Sequence, residues 1–300
     1  MKVVLTGASG LLGKYLLDCA PDNYSICAIS KSTFPNLYHQ NFTDMQLDLL
    51  NSKNLHDYLN ETKPDAIIHS AAEGSVDKIQ NNMKLYYPLN VTLALDLAKY
   101  CEEHSIKFIF ISSNSVFGGL QSVYSDNSRP SPINDYGILK VEAEKLTLES
   151  NSDALIIRPI LMYGWPFPHR RANPVTTWIS NLRSSKSFCV VNDVFTEPLA
   201  AWDCAKAIWK GLEIDAKGAV NISGGELFSL YDFAVLTSKV FNLDSKLISP
   251  VPSSYFPEIA PRPKKTSFDL RRLKNEFGLT PSIPIEGLGT LKQIEKVLGS

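Results

Sequence analysis

The apolar positions in the first half of the chain form short runs that alternate with longer segments of helical spacing. Strand-like runs cover 3–5, 25–29, 66–69, 107–112 and 154–158, and Gln46-Leu47 ends a further one. Segments with helical periodicity cover 11–19, 87–104 and 136–149. Short buried runs alternating with helices are typical of parallel strands covered on both faces. The pattern predicts an α/β fold with a doubly wound parallel sheet of the Rossmann type.

The pattern changes after Pro159, where prolines and aromatic residues become more frequent. Helices are predicted over 175–184 and 202–212, the second of them returning to the main sheet. We therefore expect a dinucleotide-binding domain over 1–164 with a returning segment around 193–220. A smaller, discontinuous C-terminal substrate domain is expected from 165–192 and 221–300. It would cover the carboxyl ends of the strands, where open α/β sheets bind ligands.

Composition and charge exclude several classes of protein. The 300 residues are 44% hydrophobic with a formal net charge of -1, so neither disorder nor a nucleic-acid partner is indicated. No run approaches the roughly 20 apolar residues of a membrane span, and the N-terminus does not resemble a signal peptide. Neither the five cysteines nor the five histidines show metal-ligand spacing. A cytoplasmic protein without a metal or a membrane partner is expected.

A glycine-rich loop follows the first strand. Gly7, Gly10 and Gly13 lie between a strand and a helix, the context that a dinucleotide site requires. Glycines permit a tight turn and close backbone approach, and the helix N-terminus faces the diphosphate. A plain glycine turn is the alternative, but the position at the start of a βαβ chain favours cofactor binding. The predicted contacts are Gly7, Ser9, Gly10, Leu11, Leu12 and Gly13.

The end of the second strand indicates which cofactor is used. An acidic side chain there would bind the ribose 2′-hydroxyl of NAD, but this chain has Ser30 and Lys31. A hydroxyl and an ammonium suit a 2′-phosphate, so NADP(H) is predicted; the alternative is that Lys31 is a solvated loop residue. Asp48, with Leu49 beside it, is a candidate for the adenine pocket. Asp48 is alternatively the N-cap of a helix that begins near Asn51.

Tyr136 and Lys140 are the candidate acid–base pair. Residues four apart share one face of a helix, and an ammonium beside a phenol is expected to lower the pKa of the tyrosine toward working pH. An isolated pair of this spacing would be a surface tyrosine and a solvated lysine, and Asp135 would then be only a helix cap. Ser113 lies just past the strongest strand, although local chemistry does not rank it above Ser112 or Ser115. The glycine loop, Ser113 and the pair together suggest hydride chemistry.

Two further groups of residues are less informative. Basic side chains at Arg170-Arg171 and around Arg262 and Lys264 are candidates for binding a diphosphate or are solvated loop charges. His69 follows a strand and lies near the cofactor or is simply packed.

These motifs, in this order, resemble those of the extended short-chain dehydrogenases/reductases. The similarity rests on Thr6–Gly13, Ser70-Ala-Ala72, Ser112-Ser-Asn-Ser-Val-Phe-Gly118, Tyr136-x-x-x-Lys140 and Arg158-Pro-x-x-x-Tyr-Gly164. Arg262-Pro-Lys-Lys-Thr-Ser-Phe-Asp269 is similar to a C-terminal motif of the dTDP-4-dehydrorhamnose reductases. The resemblance spans nearly the whole chain.

The resemblance implies a role for each matching position. Ser113 would be the catalytic hydroxyl, Tyr136 the proton donor, and Lys140 the ligand of the nicotinamide ribose that lowers the pKa of Tyr136. Ser70, Ala71, Ala72 and Asn90 would line the cofactor, and Asn114 and Arg262 would contact substrate. The implied reaction is NADPH-dependent reduction of the 4-keto group of a nucleotide-linked, dTDP-type 6-deoxyhexose. A homodimer through the long helices is expected by analogy.

Three departures keep alternatives open. Asn114 and Ser115 replace the usual aspartate and aromatic residue, and Leu161 replaces a frequent tryptophan. Several motifs also resemble those of nucleotide-sugar epimerases. A third hypothesis is that the protein is a non-catalytic, NADP-binding regulatory subunit similar to that of methionine adenosyltransferase. The complete set of Ser113, Tyr136 and Lys140 favours an enzyme.

Overall fold

A seven-stranded parallel sheet forms the centre of the computed structural model, which describes residues 1–31 and 41–298. Its strand order is β11-β6-β5-β4-β1-β2-β3, and every neighbouring pair is parallel. The strands are β1 (Lys2–Thr6), β2 (Ser25–Ser30), β3 (Phe42–Gln46), β4 (Ala66–His69), β5 (Lys107–Ile111), β6 (Leu155–Pro159) and β11 (Gly218–Ile222). The strand order reverses between β1 and β4, which opens a crevice at their carboxyl ends. The predicted doubly wound fold is confirmed.

Helices cover both faces of this sheet because its strands are apolar on both sides. Along β1, Val3 and Leu5 belong to one core cluster and Val4 to the other. The helices of the first half are α1 (Leu11–Asp18), α2 (Ser52–Thr62), α3 (Val76–Ile79), α4 (Met83–Tyr87), α5 (Leu93–Glu103) and α6 (Asp135–Ser150).

Residues 87–104, expected to form one helix, comprise the end of α4, a π-helical turn and α5. A π-helical turn, Pro88–Thr92, connects α4 to α5. Pro88 lacks a backbone N–H, so it cannot continue the regular hydrogen-bond ladder. Such π turns are frequent at functional sites, and this one carries the buried side chain of Asn90.

The second half adds six short strands in three pairs and five helices. β7 (Met162–Tyr163) pairs with β10 (Leu199–Ala200), β8 (Phe188–Val191) with β13 (Ile248–Val251), and β9 (Phe195–Thr196) with β12 (Phe228–Ser229). The helices are α7 (Pro174–Arg183), α8 (Ala201–Glu213), α9 (Leu230–Phe241), α10 (Arg271–Asn275) and α11 (Pro284–Leu298).

The two helices predicted in the second half are confirmed as α7 and α8. Helix α8 returns to the main sheet, where Trp202 packs on Tyr15 at 5.6 Å and the Trp209 indole donates to the Leu16 oxygen at 3.0 Å. β11 then joins the central sheet beside β6. The division into two domains stays a prediction. Within the described residues, every helix is too short or too polar to cross a lipid bilayer.

Candidate active site

A cavity of about 460 Å³ opens at the carboxyl edge of the sheet. Its lining residues are far apart in the chain, and different roles were predicted for them from the sequence. Its lining includes Gly10, Leu11, Leu12, Ser70, Ala72, Ser113, Asn114, Tyr136 and Lys140. The predicted cofactor loop and the predicted acid–base residues therefore share one space.

The glycine loop has the geometry that a diphosphate requires. Gly7 has a φ of +70°, and a Cβ there would lie 2.6 Å from the Ala71 nitrogen. A Cβ on Gly13 would lie 2.5 Å from the Ala8 oxygen, so this glycine permits the close packing of α1 on the loop. Gly10 is the N-cap of α1 and offers no side chain to cap the first turn. The first turn of α1, with Gly10, Leu11 and Leu12, thus lines the cavity, and a helix N-terminus in that position fits a dinucleotide diphosphate.

The ends of β2 and β3 carry the predicted adenosine ligands. The Lys31 ammonium is 80% exposed and lies 3.3 Å from the Asp48 carboxylate. Asp48 also accepts a hydrogen bond from the Leu50 nitrogen, which together with Lys31 lowers its pKa. Asn51 caps α2 by accepting from Asn54, so the alternative that Asp48 is the N-cap is wrong. Ser30 and Leu49 are buried beside this pair.

The loop after β4 is held from two sides. The Ala71 nitrogen donates to the Thr6 hydroxyl at 3.3 Å. Asn90 is buried and makes two hydrogen bonds of 3.0 Å with the backbone of Glu73, as acceptor and as donor. Asn90 therefore shapes the loop that presents Ser70 and Ala72 to the cavity.

Helix α6 places Tyr136 and Lys140 on one face. Its N-cap is Asn134, whose side-chain oxygen accepts from the Gly137 nitrogen at 2.8 Å. The alternative that Asp135 caps this helix is wrong, because its carboxylate instead accepts from the Asn81 nitrogen at 2.7 Å. A Cβ on Gly137 would lie 2.2 Å from the Ser115 oxygen, so this glycine lets α6 approach the end of β5.

Burial determines the protonation of the acid–base pair. It raises the pKa of Tyr136 to about 12, while a hydrogen bond with Ser113 acts in the opposite direction. Burial also lowers the pKa of Lys140 to about 8, and the Glu144 carboxylate opposes this. The expectation that Lys140 lowers the pKa of Tyr136 is therefore wrong for this structure. The Lys140 ammonium donates to the Ile111 oxygen at 2.8 Å. The raised pKa of Tyr136 favours its protonated phenol at neutral pH.

The three serines after β5 have different partners. The Ser113 hydroxyl accepts from the Ser115 nitrogen at 3.1 Å and faces Tyr136. The Ser112 hydroxyl donates to Glu144. All three line the cavity, but Ser113 is the one whose hydroxyl is bonded to Tyr136.

The basic candidates for a diphosphate are separated. Arg262 makes a bidentate ion pair with Asp77, at 2.6 and 2.8 Å, and Lys264 pairs with Asp193 at 2.5 Å. Arg171 lines the cavity itself and lies 3.9 Å from the Glu73 carboxylate.

His69 is packed in the core. Its Nδ1 lies 2.8 Å from the Thr6 hydroxyl, its ring stacks near Phe108 and Phe110, and burial lowers its pKa to about 3. In the part of the chain that the structure describes, no group of three His, Cys, Asp or Glu side chains is placed to hold a metal ion.

Sequence reasoning missed two parts of the site. Asn173 lines the cavity at the start of α7, where it forms a capping box with Thr176 and donates to the Gly164 oxygen. The signal was available, because asparagine followed by proline at the first helical position is a common helix start. The buried pair of Glu144 and Arg158, behind Ser112, was also missed. Arg158 begins one of the motifs named above, but no local pattern pairs it with Glu144.

A wider groove of about 770 Å³ lies at the opposite edge of the sheet, beside β11 and α10. Its cationic side chains are paired with carboxylates, namely Arg271 with Asp269, Arg272 with Glu276, and Lys217 with Asp153. It is remote from the glycine loop, and we assign it no chemistry.

The doubly wound sheet, the glycine loop and the Tyr136–Lys140 pair in one cavity define an extended short-chain dehydrogenase/reductase. Within that class, the chain belongs to the family described as the RmlD substrate binding domain, whose model matches residues 1–290.

The relatives of this chain carry different names. Methionine adenosyltransferase 2 subunit beta from Rattus norvegicus is 30% identical over 283 residues, covering 91% of this chain and 81% of that protein. The dTDP-4-dehydrorhamnose reductase of Aggregatibacter actinomycetemcomitans is 26% identical, covering 94% and 95%. The crystal structure of a dTDP-4-dehydrorhamnose reductase from Bacillus anthracis in complex with NADP is 27% identical, with a TM-score of 0.88 and coverage of 98% and 99%.

Proposed function

We propose that this protein is an oxidoreductase that uses NADPH to reduce the 4-keto group of a nucleotide-linked, dTDP-type 6-deoxyhexose. The observation that carries the proposal is the single cavity lined by the glycine loop and by Ser113, Tyr136 and Lys140. The reductases of Aggregatibacter and Bacillus, which match this chain over nearly their whole length, support the same reading.

NADP(H) is the proposed cofactor. The Bacillus relative was crystallised with NADP, and the end of β2 carries Ser30 and Lys31 where an NAD site would carry a carboxylate. The glycine loop would hold the diphosphate, Lys31 the 2′-phosphate and Lys140 the nicotinamide ribose. When bound, NADPH supplies the hydride.

The protein's own residues would supply the proton. With a pKa raised to about 12, Tyr136 keeps its proton at neutral pH and can donate it to the keto oxygen as negative charge develops there. Ser113, hydrogen-bonded with Tyr136, would donate to the same oxygen and orient it. Lys140 is charged below a pH of about 8 and favours negative charge nearby.

A second candidate function is that of a non-catalytic, NADP-binding regulatory subunit. The rat relative named methionine adenosyltransferase 2 subunit beta favours it. The two functions differ in one respect that is easy to measure, since an enzyme turns over alone and a regulatory subunit does not.

The test is the decay of NADPH absorbance with the purified protein and dTDP-4-keto-6-deoxyhexoses generated in situ, with NADH in parallel. Rapid decay, faster with NADPH, supports the reductase. Interconversion of sugar isomers without decay indicates an epimerase. NADPH binding without any sugar chemistry overturns the reductase and favours the regulatory subunit, which a pull-down with a methionine adenosyltransferase catalytic subunit then tests.

We also propose a domain organisation, an oligomeric state and a cellular location for this protein. Residues 165–192 and 221–300 would form the substrate domain, and the long helices would form a homodimer interface. All five cysteines lie in the described residues and are free thiols, which fits a reducing, cytoplasmic location.

A further inference from the structure

Glu144 lies on the same face of α6 as the acid–base pair, one turn beyond Lys140 and two turns beyond Tyr136. It is 4% exposed, so its carboxylate is removed from water. A carboxylate is rarely buried unless it is paired and hydrogen-bonded. None of the roles proposed for Ser113, Tyr136 and Lys140 involves Glu144.

The Glu144 carboxylate joins three elements of the site. Its Oε1 accepts from the Ser112 hydroxyl at the end of β5 and from Arg158 Nε on β6 at 2.9 Å. Its Oε2 accepts from Arg158 Nη2 at 2.6 Å. The remaining Arg158 nitrogen donates to the Asp126 oxygen at 3.0 Å. Helix α6 is thereby tied to the strand end that carries Ser113.

The hydrogen bonds of Glu144 restrain the chain next to Ser113, and the rate of the proposed reaction depends on the position of the Ser113 hydroxyl. Ser112 is adjacent to Ser113, and the Ser112 nitrogen donates to the Ile157 oxygen at 2.7 Å. Both the hydroxyl and the backbone of Ser112 are therefore fixed. Small displacements of a group that orients a substrate can cost about 100-fold in rate.

The same carboxylate supplies negative charge near the buried Lys140 ammonium. Tyr136 on α6 and His69 on β4 are further ionisable groups near Lys140, while the Arg158 guanidinium on β6 is paired with Glu144 itself. His69 is neutral and Tyr136 is protonated at neutral pH. Glu144 is the acidic side chain that opposes the effect of burial on Lys140.

We propose that Glu144 is a positioning residue of this active site, which fixes Ser113 through Ser112 and supplies the charge that faces Lys140. The proposal rests on the proposed reductase function for its effect on turnover. Its effect on NADPH binding can be measured without any sugar substrate.

The first measurement is the NADPH dissociation constant between pH 6 and 9.5 for the wild type, Glu144→Gln and Glu142→Gln. Glu142 is on the same helix but accepts from Tyr87, so it is the matched control. We expect wild-type affinity to fall above a pH of about 8. In Glu144→Gln the midpoint should move down by about one pH unit because the ammonium loses its opposite charge. An unchanged midpoint overturns the electrostatic part of the proposal.

The second measurement uses Ser112→Ala, which removes one hydroxyl and leaves the Glu144–Arg158 ion pair in place. We expect kcat to fall about tenfold or more, with KM and the pH midpoint of NADPH binding unchanged. A wild-type kcat overturns the positioning part. Ser112→Ala decides that part even if Glu144→Gln does not fold.

The two proposals fail in different ways. If the wild type binds NADPH but reduces no nucleotide sugar, the reductase fails, while the pH midpoints still test Glu144.

Discussion

The Lys140 ammonium lies 5.9 Å from the centroid of the Tyr136 ring, and its hydrogen bond of 2.8 Å goes to the Ile111 backbone oxygen. Burial shifts both groups toward their neutral forms, raising the pKa of Tyr136 and lowering that of Lys140. Below a pH of about 8 the pair is a protonated phenol beside an ammonium. This is the state from which a proton can be donated.

Replacing Tyr136 by phenylalanine should abolish most turnover without loss of cofactor. Removing a positioned proton donor costs about 100- to 10,000-fold in rate, so we expect kcat to fall within that range. The NADPH dissociation constant should stay within about threefold, since the ring remains. Steady-state kinetics and fluorescence titration give the two numbers. Tyr255→Phe is the control, as its side chain is 59% exposed. Full activity of Tyr136→Phe would exclude Tyr136 as proton donor.

Local patterns predicted the glycine loop, the strands β1, β2, β4, β5 and β6 and the helices α1, α6, α7 and α8, because each depends on nearby residues. The apolar run of β5 is of this kind, and so is α6, which was predicted over 136–149 and is observed over Asp135–Ser150. Gly7 was identifiable because its positive φ suits glycine.

The remainder depends on contacts between distant residues. The choice of Ser113 over Ser112 follows from Glu144, which is 32 positions from Ser112. The partner of Arg262 is Asp77, 185 positions away. The direction of the Tyr136 pKa shift depends on burial by the whole fold. The spacing of Tyr136 and Lys140 on one helix does not predict that burial.

Lys31 should determine the preference for NADPH over NADH. Its ammonium is exposed beside Asp48, and a 2′-phosphate there would make a charge-assisted contact. We expect Lys31→Gln to weaken NADPH binding about tenfold, because such contacts contribute about 1.5–3 kcal/mol before solvent screening. NADH affinity should not change. Titration of both cofactors tests this, with exposed Lys53→Gln as control. Equal loss for NADH would contradict a contact to the 2′-phosphate.

Arg262 should bind the substrate diphosphate in competition with Asp77. The bidentate pair, at 2.6 and 2.8 Å, occupies the guanidinium in the absence of ligand. We expect Arg262→Gln to weaken dTDP binding about tenfold or more. Asp77→Asn, which removes the competing charge but keeps Arg262, should bind dTDP a few-fold more tightly. Calorimetry measures both.

Arg271→Gln is the matched control for Arg262, because Arg271 also pairs with an aspartate but lines the separate groove beside α10. Weaker dTDP binding in Asp77→Asn would show that the ion pair supports the site instead of competing with the ligand.

His69 should make the fold less stable in acid. Its pKa is lowered from 6.5 to about 3 because the ring is buried. Between these values the unfolded chain binds a proton that the folded chain does not, so the free energy of unfolding falls as the pH falls. The slope for one group is about 1.4 kcal/mol per pH unit, which amounts to roughly 2 kcal/mol between pH 6.5 and 5.

Urea unfolding at pH 7 and pH 5 measures this loss in the wild type, His69→Gln and His104→Gln. His69→Gln should lose roughly 2 kcal/mol less than the wild type over this interval, whatever its stability at pH 7. His104 is exposed, so its variant should follow the wild type. The comparison of slopes separates titration from packing, because a glutamine that packs poorly lowers stability equally at both pH values. Identical slopes for His69→Gln and the wild type would mean that the folded protein protonates His69 as readily as the unfolded chain does.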